Sequence, residues 1–253
     1  MTLVPTIDAD IPRADTEPVI ADRVRIEPAV EPRRKATESF PLFVRVAGEI
    51  WFGLLALGYL RLALVTATDV ISGSGGISTV VLFTSRLCTA LFFGLTCWLL
   101  MVRPAPIASQ NRAAPVLTAF AGTYLVWLTP FLPAAPANAG LQMVSAAIVL
   151  IGDALIIYTL CNLGRSFSIV PQARRLVTTG PYRFVRHPLY ATEGFALLGI
   201  LLQHVWWAAV PFLVVQAGLQ WRRMAYEEAL LRAMFPDYSA YARRTARLIP
   251  GVW

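Results

Sequence analysis

Beyond residue 40 the chain is organised by long, unbroken apolar runs, with neither the alternation of a strand nor a one-sided helical stripe. A helix needs roughly 20 apolar residues to cross the hydrocarbon core of a bilayer. Four runs reach that length: about Val46–Thr68, Ile77–Val102, Ala113–Pro133 and Ala139–Leu163. The connectors contain Gly or Pro, as helix ends should. A fifth run, Pro188–Gln203, is a little short, and a sixth starts at Val205 and continues into a charged helix near Arg222. Only Gln203 and His204 separate these two, which predicts a tight helical hairpin in the membrane. The expected fold class is all-α: a polytopic membrane helical bundle of about six transmembrane helices, ending in a helical hairpin plus a cytoplasmic C-terminal helix.

Composition points the same way. Of 253 residues, 57% are hydrophobic and 15% charged, against roughly 45–50% and about 25% in soluble domains. The net charge of +7 does not suggest nucleic acid, because the basic residues lie between apolar runs. Cys88, Cys97 and Cys161 sit inside those runs and suggest no disulfide framework. With only His187 and His204 as histidines, no metal-ligand spacing appears. Residues 1–40 carry eight acidic and six basic residues and prolines at 5, 12, 18, 28 and 32, the pattern of a disordered tail. No cleaved signal peptide is expected.

Charge also orients the helices. With six crossings, one side would hold both termini and the loops carrying Arg103, Arg112, Arg165, Arg174, Arg175, Arg183 and Arg186. The opposite loops, around Ala67–Gly76, Ala134–Ala137 and Gln203–His204, contain no Lys or Arg. The positive-inside rule then predicts an integral, multi-pass membrane protein with both termini cytoplasmic. Some charges remain at membrane depth. Arg45 and Glu49 stand one helical turn apart and can pair, and Arg61 can snorkel. Arg86 and Asp153 are open between a structural and a functional role. No strict GxxxG seam and no internal repeat is present.

The candidate chemistry begins where the fourth run ends, at SFSIVPQARRLVTTGPYRFVRHPLY, residues 166–190. Proline favours the first turn of a helix, so His187 falls near the N-cap of the fifth helix. A helix start attracts anions, and Tyr182 and Tyr190 offer ring faces to a flat base. The same residues would also suit a plain membrane-surface loop, with arginines on headgroups and tyrosines in the interfacial belt. A second constellation, WRRMAYEEALLRAMF at 221–235, places Arg223 four residues from Glu227 and Glu228 four from Arg232. These are helix-stabilising pairs, or else a carboxylate facing a cationic ligand beside a guanidinium facing an anionic one. The apolar face of Leu230, Leu231, Met234 and Phe235 can lay this helix back on the membrane or on the loop.

Gln172, LVTTGPY at 176–182, RHPLY at 186–190, the Glu227–Glu228 pair and FPDYSAYARR follow one another in an order that resembles the isoprenylcysteine carboxyl methyltransferase family. These are integral-membrane, S-adenosylmethionine-dependent enzymes related to the phospholipid N-methyltransferases. The resemblance covers about residues 164–250. It implies cofactor binding by Gln172, Leu176, Val177, Tyr182, His187, Pro188, Leu189, Tyr190, Glu227 and Glu228. It implies a substrate-contacting Arg223, and Arg223, Glu227 and His187 as the catalytic group. Three regions follow: a tail (1–40), a four-helix membrane region (41–163), and a segment (164–253) with the cofactor loop, hairpin and catalytic helix. The partners implied are S-adenosylmethionine, membrane lipids and a lipophilic or lipidated acceptor; nucleic acid and metal are not expected. A carboxylate acceptor needs an orienting cation and no base, which favours carboxyl O-methylation, as of an isoprenylcysteine. The alternatives are N-methylation of phosphatidylethanolamine and a non-catalytic transporter or assembly protein.

Overall fold

The computed structural model describes residues 42–252 except Gly75 and Ala137. The expected tail at 1–40 and the side chain of Arg45, with its expected pairing, lie outside the described residues. Among the described residues the chain forms seven α-helices: α1 (Leu42–Ile71), α2 (Ile77–Val102), α3 (Ala113–Tyr124), α4 (Ala139–Leu163), α5 (Pro188–Leu201), α6 (Trp206–Met234) and α7 (Tyr238–Arg244). A short antiparallel ladder joins β1 (Ala108–Ser109) to β2 (Gln172–Ala173).

The helices are apolar on the outside as well as within. On α1, Leu54, Leu57, Leu64 and Val65 are exposed, a surface suited to lipid. Four segments are long and apolar enough to cross a membrane: Val46–Ile71, Ile77–Val102, Ala113–Phe131 and Ala139–Ser166. The third continues from α3 through a 3-10 turn, Leu125–Phe131. The protein is thus a multi-pass membrane protein. The expectation of six spans is met by length and composition for four. Helix α5 has 14 residues, about 21 Å at 1.5 Å per residue, which is short of the roughly 30 Å core. Helix α6 is long enough, but Gln216, Gln220 and the charged residues from Arg222 onward dilute its apolar character.

The α5–α6 hairpin nevertheless reaches the level of the α3–α4 connector. Ala134 bridges His204, the Ala135 N–H donates to Gln203 O at 2.8 Å, and the Val205 N–H donates to Pro133 O at 3.0 Å. At the other, arginine-rich end, the α2–α3 connector pairs with the loop after α4 through β1 and β2.

Helix α1 packs on α2, α2 on α4, α4 on α5, and α3 on α6. Phe52, Phe93, Leu99, Leu100, Ile156 and Leu160 form the main buried cluster. The α4–α5 crossing is close because Gly152 and Gly199 leave room. A Cβ on Gly152 would lie 2.7 Å from the Cβ of Ala196, and one on Gly199 would lie 2.9 Å from Ile148 Cγ2. The Ser145 hydroxyl donates to Gly199 O at 2.7 Å at the same crossing. Small residues that let backbones approach, with a hydroxyl across the gap, are the usual adhesive between membrane helices.

The charges at membrane depth resolve in the same way. Arg86 donates to the Thr66 hydroxyl and to Leu62 O, and Asp153 accepts from the Thr89 hydroxyl. Both residues therefore tie α2 to its neighbours. Arg61 is exposed on α1.

Candidate functional site

The loop between α4 and α5 is shaped by local backbone chemistry. Gly164 ends α4 with φ +55°, in the left-handed region that glycine tolerates. Ser168 donates to Gln172 Oε1 at 2.9 Å and Arg174 to the same oxygen at 2.7 Å, so Gln172 is fixed where the ladder ends. Gly180, at φ +60°, starts a 3-10 turn (Gly180–Arg183) directly against Asn162, whose Oδ1 would stand 2.1 Å from an added Cβ. The loop then enters α5 with Pro188 at the first helical position and His187 before it, and no side chain among the described residues caps that helix start.

Helix α6 meets this loop at the arginine-rich end. Arg223 is buried, and its two terminal nitrogens donate to the Thr123 hydroxyl of α3 at 3.0 Å and to Ile169 O at 2.6 Å. Its guanidinium lies 5.1 Å from the ring centre of Tyr190, and its Nε stands 3.6 Å from Glu227 Oε1. Glu227 also accepts from the Tyr190 hydroxyl, and its second oxygen is 3.9 Å from His187 Nδ1. The loop and the acidic helix, some 40 residues apart in the chain, thus share one cluster.

Gln172, Leu176, Val177, Tyr182, His187, Leu189, Tyr190, Arg223 and Glu227 line a single cavity. Two of the expected residues do not. Pro188 is buried at the head of α5. Glu228 lies behind the wall, where its carboxylate gathers three arginines and a histidine: Arg186 and His187 at 3.2 Å, Arg247 at 3.1 Å and Arg232 at 2.8 Å. Burial alone would raise the pKa of Glu228. The hydrogen bond and charge of His187, with Arg247 and Arg186, outweigh that and hold it at about 2. Glu228 is therefore an anchor for the loop, turned to its neighbours rather than to the cavity.

Sequence reasoning missed part of the wall. Arg186, Phe167, Ser168 and Val170 line the cavity from the loop, and Tyr238 and Tyr241 line it from α7. The signal for the tyrosines was present in FPDYSAYARR, where they stand three apart on one helix face. The chain folds back beyond α7. Val185 bridges Ala246 in parallel, the Arg186 N–H donates to Ala246 O at 2.8 Å, and the His187 N–H donates to Arg247 O at 3.1 Å. The Tyr241 hydroxyl donates to Tyr182 O at 2.6 Å. Burial first, then the charge of Glu227, pushes the Tyr182 hydroxyl up; burial and Glu228 do the same for Tyr238, and burial takes Tyr241 to about 12. All three remain neutral donors at physiological pH.

The fold and cavity define a multi-pass membrane protein with a polar, aromatic-lined site where its last hairpin leaves the apolar region. Residues 144–233 match the isoprenylcysteine carboxyl methyltransferase (ICMT) family. Among curated proteins it is similar to the nickel-cobalt-cadmium resistance protein NccN of Alcaligenes xylosoxydans xylosoxydans, 32% identical over 114 residues, 42% of this chain and 52% of that one. It is 34% identical over 76 residues to the cobalt-zinc-cadmium resistance protein CzcN of Cupriavidus metallidurans, 30% of this chain and 35% of that one. It is 32% identical over 124 residues to protein-S-isoprenylcysteine O-methyltransferase B of Arabidopsis thaliana, 46% of this chain and 59% of that one. The matches therefore span between 35% and 59% of these relatives.

Proposed function

We propose that this protein is an S-adenosylmethionine-dependent methyltransferase that esterifies the carboxylate of a lipophilic acceptor, such as an isoprenylcysteine. The observation that carries the reading is the meeting of His187, Tyr190, Arg223 and Glu227 on one cavity wall, within the segment that matches the family. The lining suits the cofactor chemically. Glu227 complements positive charge, Tyr182 and Tyr190 with Leu176 and Val177 suit an adenosyl group, and the buried Tyr238 hydroxyl has no hydrogen-bond partner among the described residues. When bound, S-adenosylmethionine would supply a methyl group activated by a positively charged sulfur.

The chain's own residues then have distinct tasks. Glu227, held by Tyr190 and Arg223, keeps a fixed negative charge beside the cationic ligand. Arg223, oriented by Thr123 and Ile169, presents its positive charge to an acceptor carboxylate. That carboxylate is a nucleophile at neutral pH, so no general base is required. The apolar side chains around the cavity exclude water, and positioning supplies the rate. The arginine-rich ends favour a site at the cytoplasmic surface, with both termini on that side.

A second reading is favoured by Glu193. Its carboxylate accepts from Gln220 Nε2 at 3.1 Å, on the helix turn next to Tyr190, and would suit a protonated amine that must lose a proton before N-methylation. The transporter reading rested on Arg86 and Asp153, which are engaged by hydroxyls between helices.

The test is direct. Purified protein is given radioactive cofactor with a prenylcysteine analogue or a lipid extract, and the product is treated with alkali. Methyl esters release methanol, whereas N-methyl groups stay. Alkali-stable label alone would overturn esterification. Glu227→Ala or His187→Ala weakens S-adenosylhomocysteine binding about tenfold, or about 1.4 kcal/mol. Absence of binding by the unaltered protein at millimolar ligand would overturn the cofactor assignment.

A further inference from the structure

We propose that the Tyr238 hydroxyl and one edge of the Arg186 guanidinium bind the amino-acid carboxylate of the cofactor, making α7 a wall of the cofactor site. The inference rests on the cofactor reading above and extends it to residue 238, beyond the segment that matches the family. Tyr238 is 1% exposed, lines the cavity, and its hydroxyl has no hydrogen-bond partner among the described residues. A buried hydroxyl left unpaired is costly, so a polar atom of a ligand is its expected partner.

Arg186 lines the same cavity. Its Nε donates to Glu228 at 3.2 Å and its Nη1 to Ala242 O at 2.6 Å and to Thr245 O. Three contacts fix the head of this side chain before any ligand arrives. Nη2 takes no hydrogen-bond partner among the described residues. A guanidinium nitrogen and a phenol are both donors, and a carboxylate, with two oxygens that only accept, satisfies both. The uncapped start of α5 follows Arg186 directly and adds the favourable end of a helix dipole.

Two carboxylates compete for this role, that of the cofactor and that of the acceptor. Position decides between them. Arg223 faces α3 through Thr123, toward the apolar part of the bundle where a lipid tail would lie. Tyr238 lies past the end of α6, on the arginine-rich side.

The experiment is a thermodynamic cycle on the full chain in detergent. Binding of S-adenosylhomocysteine and of its decarboxylated analogue is measured by calorimetry for the unaltered protein and for Tyr238→Phe. The substitution keeps the ring on which Arg232 lies, 5.6 Å from its centre, so the fold is retained, and a melting curve verifies that. Tyr238→Phe raises the Kd for S-adenosylhomocysteine about tenfold, while the Kd for the decarboxylated analogue changes less than about twofold. An unchanged Kd for S-adenosylhomocysteine, or an equal loss for both ligands, overturns the inference and leaves the cofactor reading standing. Failure of the unaltered protein to bind either ligand overturns both.

Discussion

Replacing Glu228 by glutamine keeps the side chain's size and removes the charge at the centre of a buried cluster. Arg186, His187 and Arg247 converge on one oxygen of Glu228, at 3.2, 3.2 and 3.1 Å, and Arg232 reaches the other at 2.8 Å. Removing one partner of a buried ion pair costs about 3–5 kcal/mol, because the opposing charge stays buried. The lowered pKa gives a second figure. The carboxyl is held at about 2 against an ordinary 4.5, since His187, Arg247 and Arg186 outweigh the effect of burial. At about 1.4 kcal/mol per pKa unit this corresponds to about 3 kcal/mol of folding free energy. Partial solvent screening of the cluster trims it toward about 2 kcal/mol.

The sign follows from the lowered pKa. The contribution is complete above 4.5 and is lost as pH falls from 4.5 through about 2. Thermal unfolding in detergent, followed by tryptophan fluorescence at several pH values, measures it. At neutral pH about 2–3 kcal/mol lowers the E228Q midpoint by roughly 4–12 °C, at about 2–4 °C per kcal/mol for a chain of this size. The difference between the two proteins narrows below pH 4.5. Equal midpoints at pH 7, or a difference that does not shrink on acidification to pH 2.5, would refute the account of Glu228 as the anchor.

Three further outcomes are expected. Arg223→Ala lowers turnover at least about tenfold and leaves the Kd for S-adenosylhomocysteine within about twofold; equal loss of both would move Arg223 into the cofactor site. Gly152→Val destabilises the bundle by about 1–3 kcal/mol, because the new side chain meets Ala196 across the α4–α5 crossing, and a lowered melting midpoint reports it. A reporter fused after Trp253 reads out as cytoplasmic; external readout would invert the proposed topology.

The apolar runs were legible in the chain because a bilayer imposes a length and a composition that no neighbour needs to supply. Helices α1, α2 and α4 therefore stand close to where the pattern put them, while α5 and α6 stop short of full spans by that measure. The i, i+4 pairs of α6 were equally legible, since helix geometry alone brings Arg223 to Glu227 and Glu228 to Arg232. Local spacing does not say which of two adjacent carboxylates faces a cavity. The tertiary fold decided that, turning Glu227 to the wall with Tyr190 and closing Glu228 among Arg186, His187 and Arg247. It also brought Tyr238 and Tyr241 onto the loop through the backbone pairing of 185–187 with 246–247. Contacts of that kind arise only when distant segments fold together, and sequence periodicity, which reports one helix at a time, does not encode them.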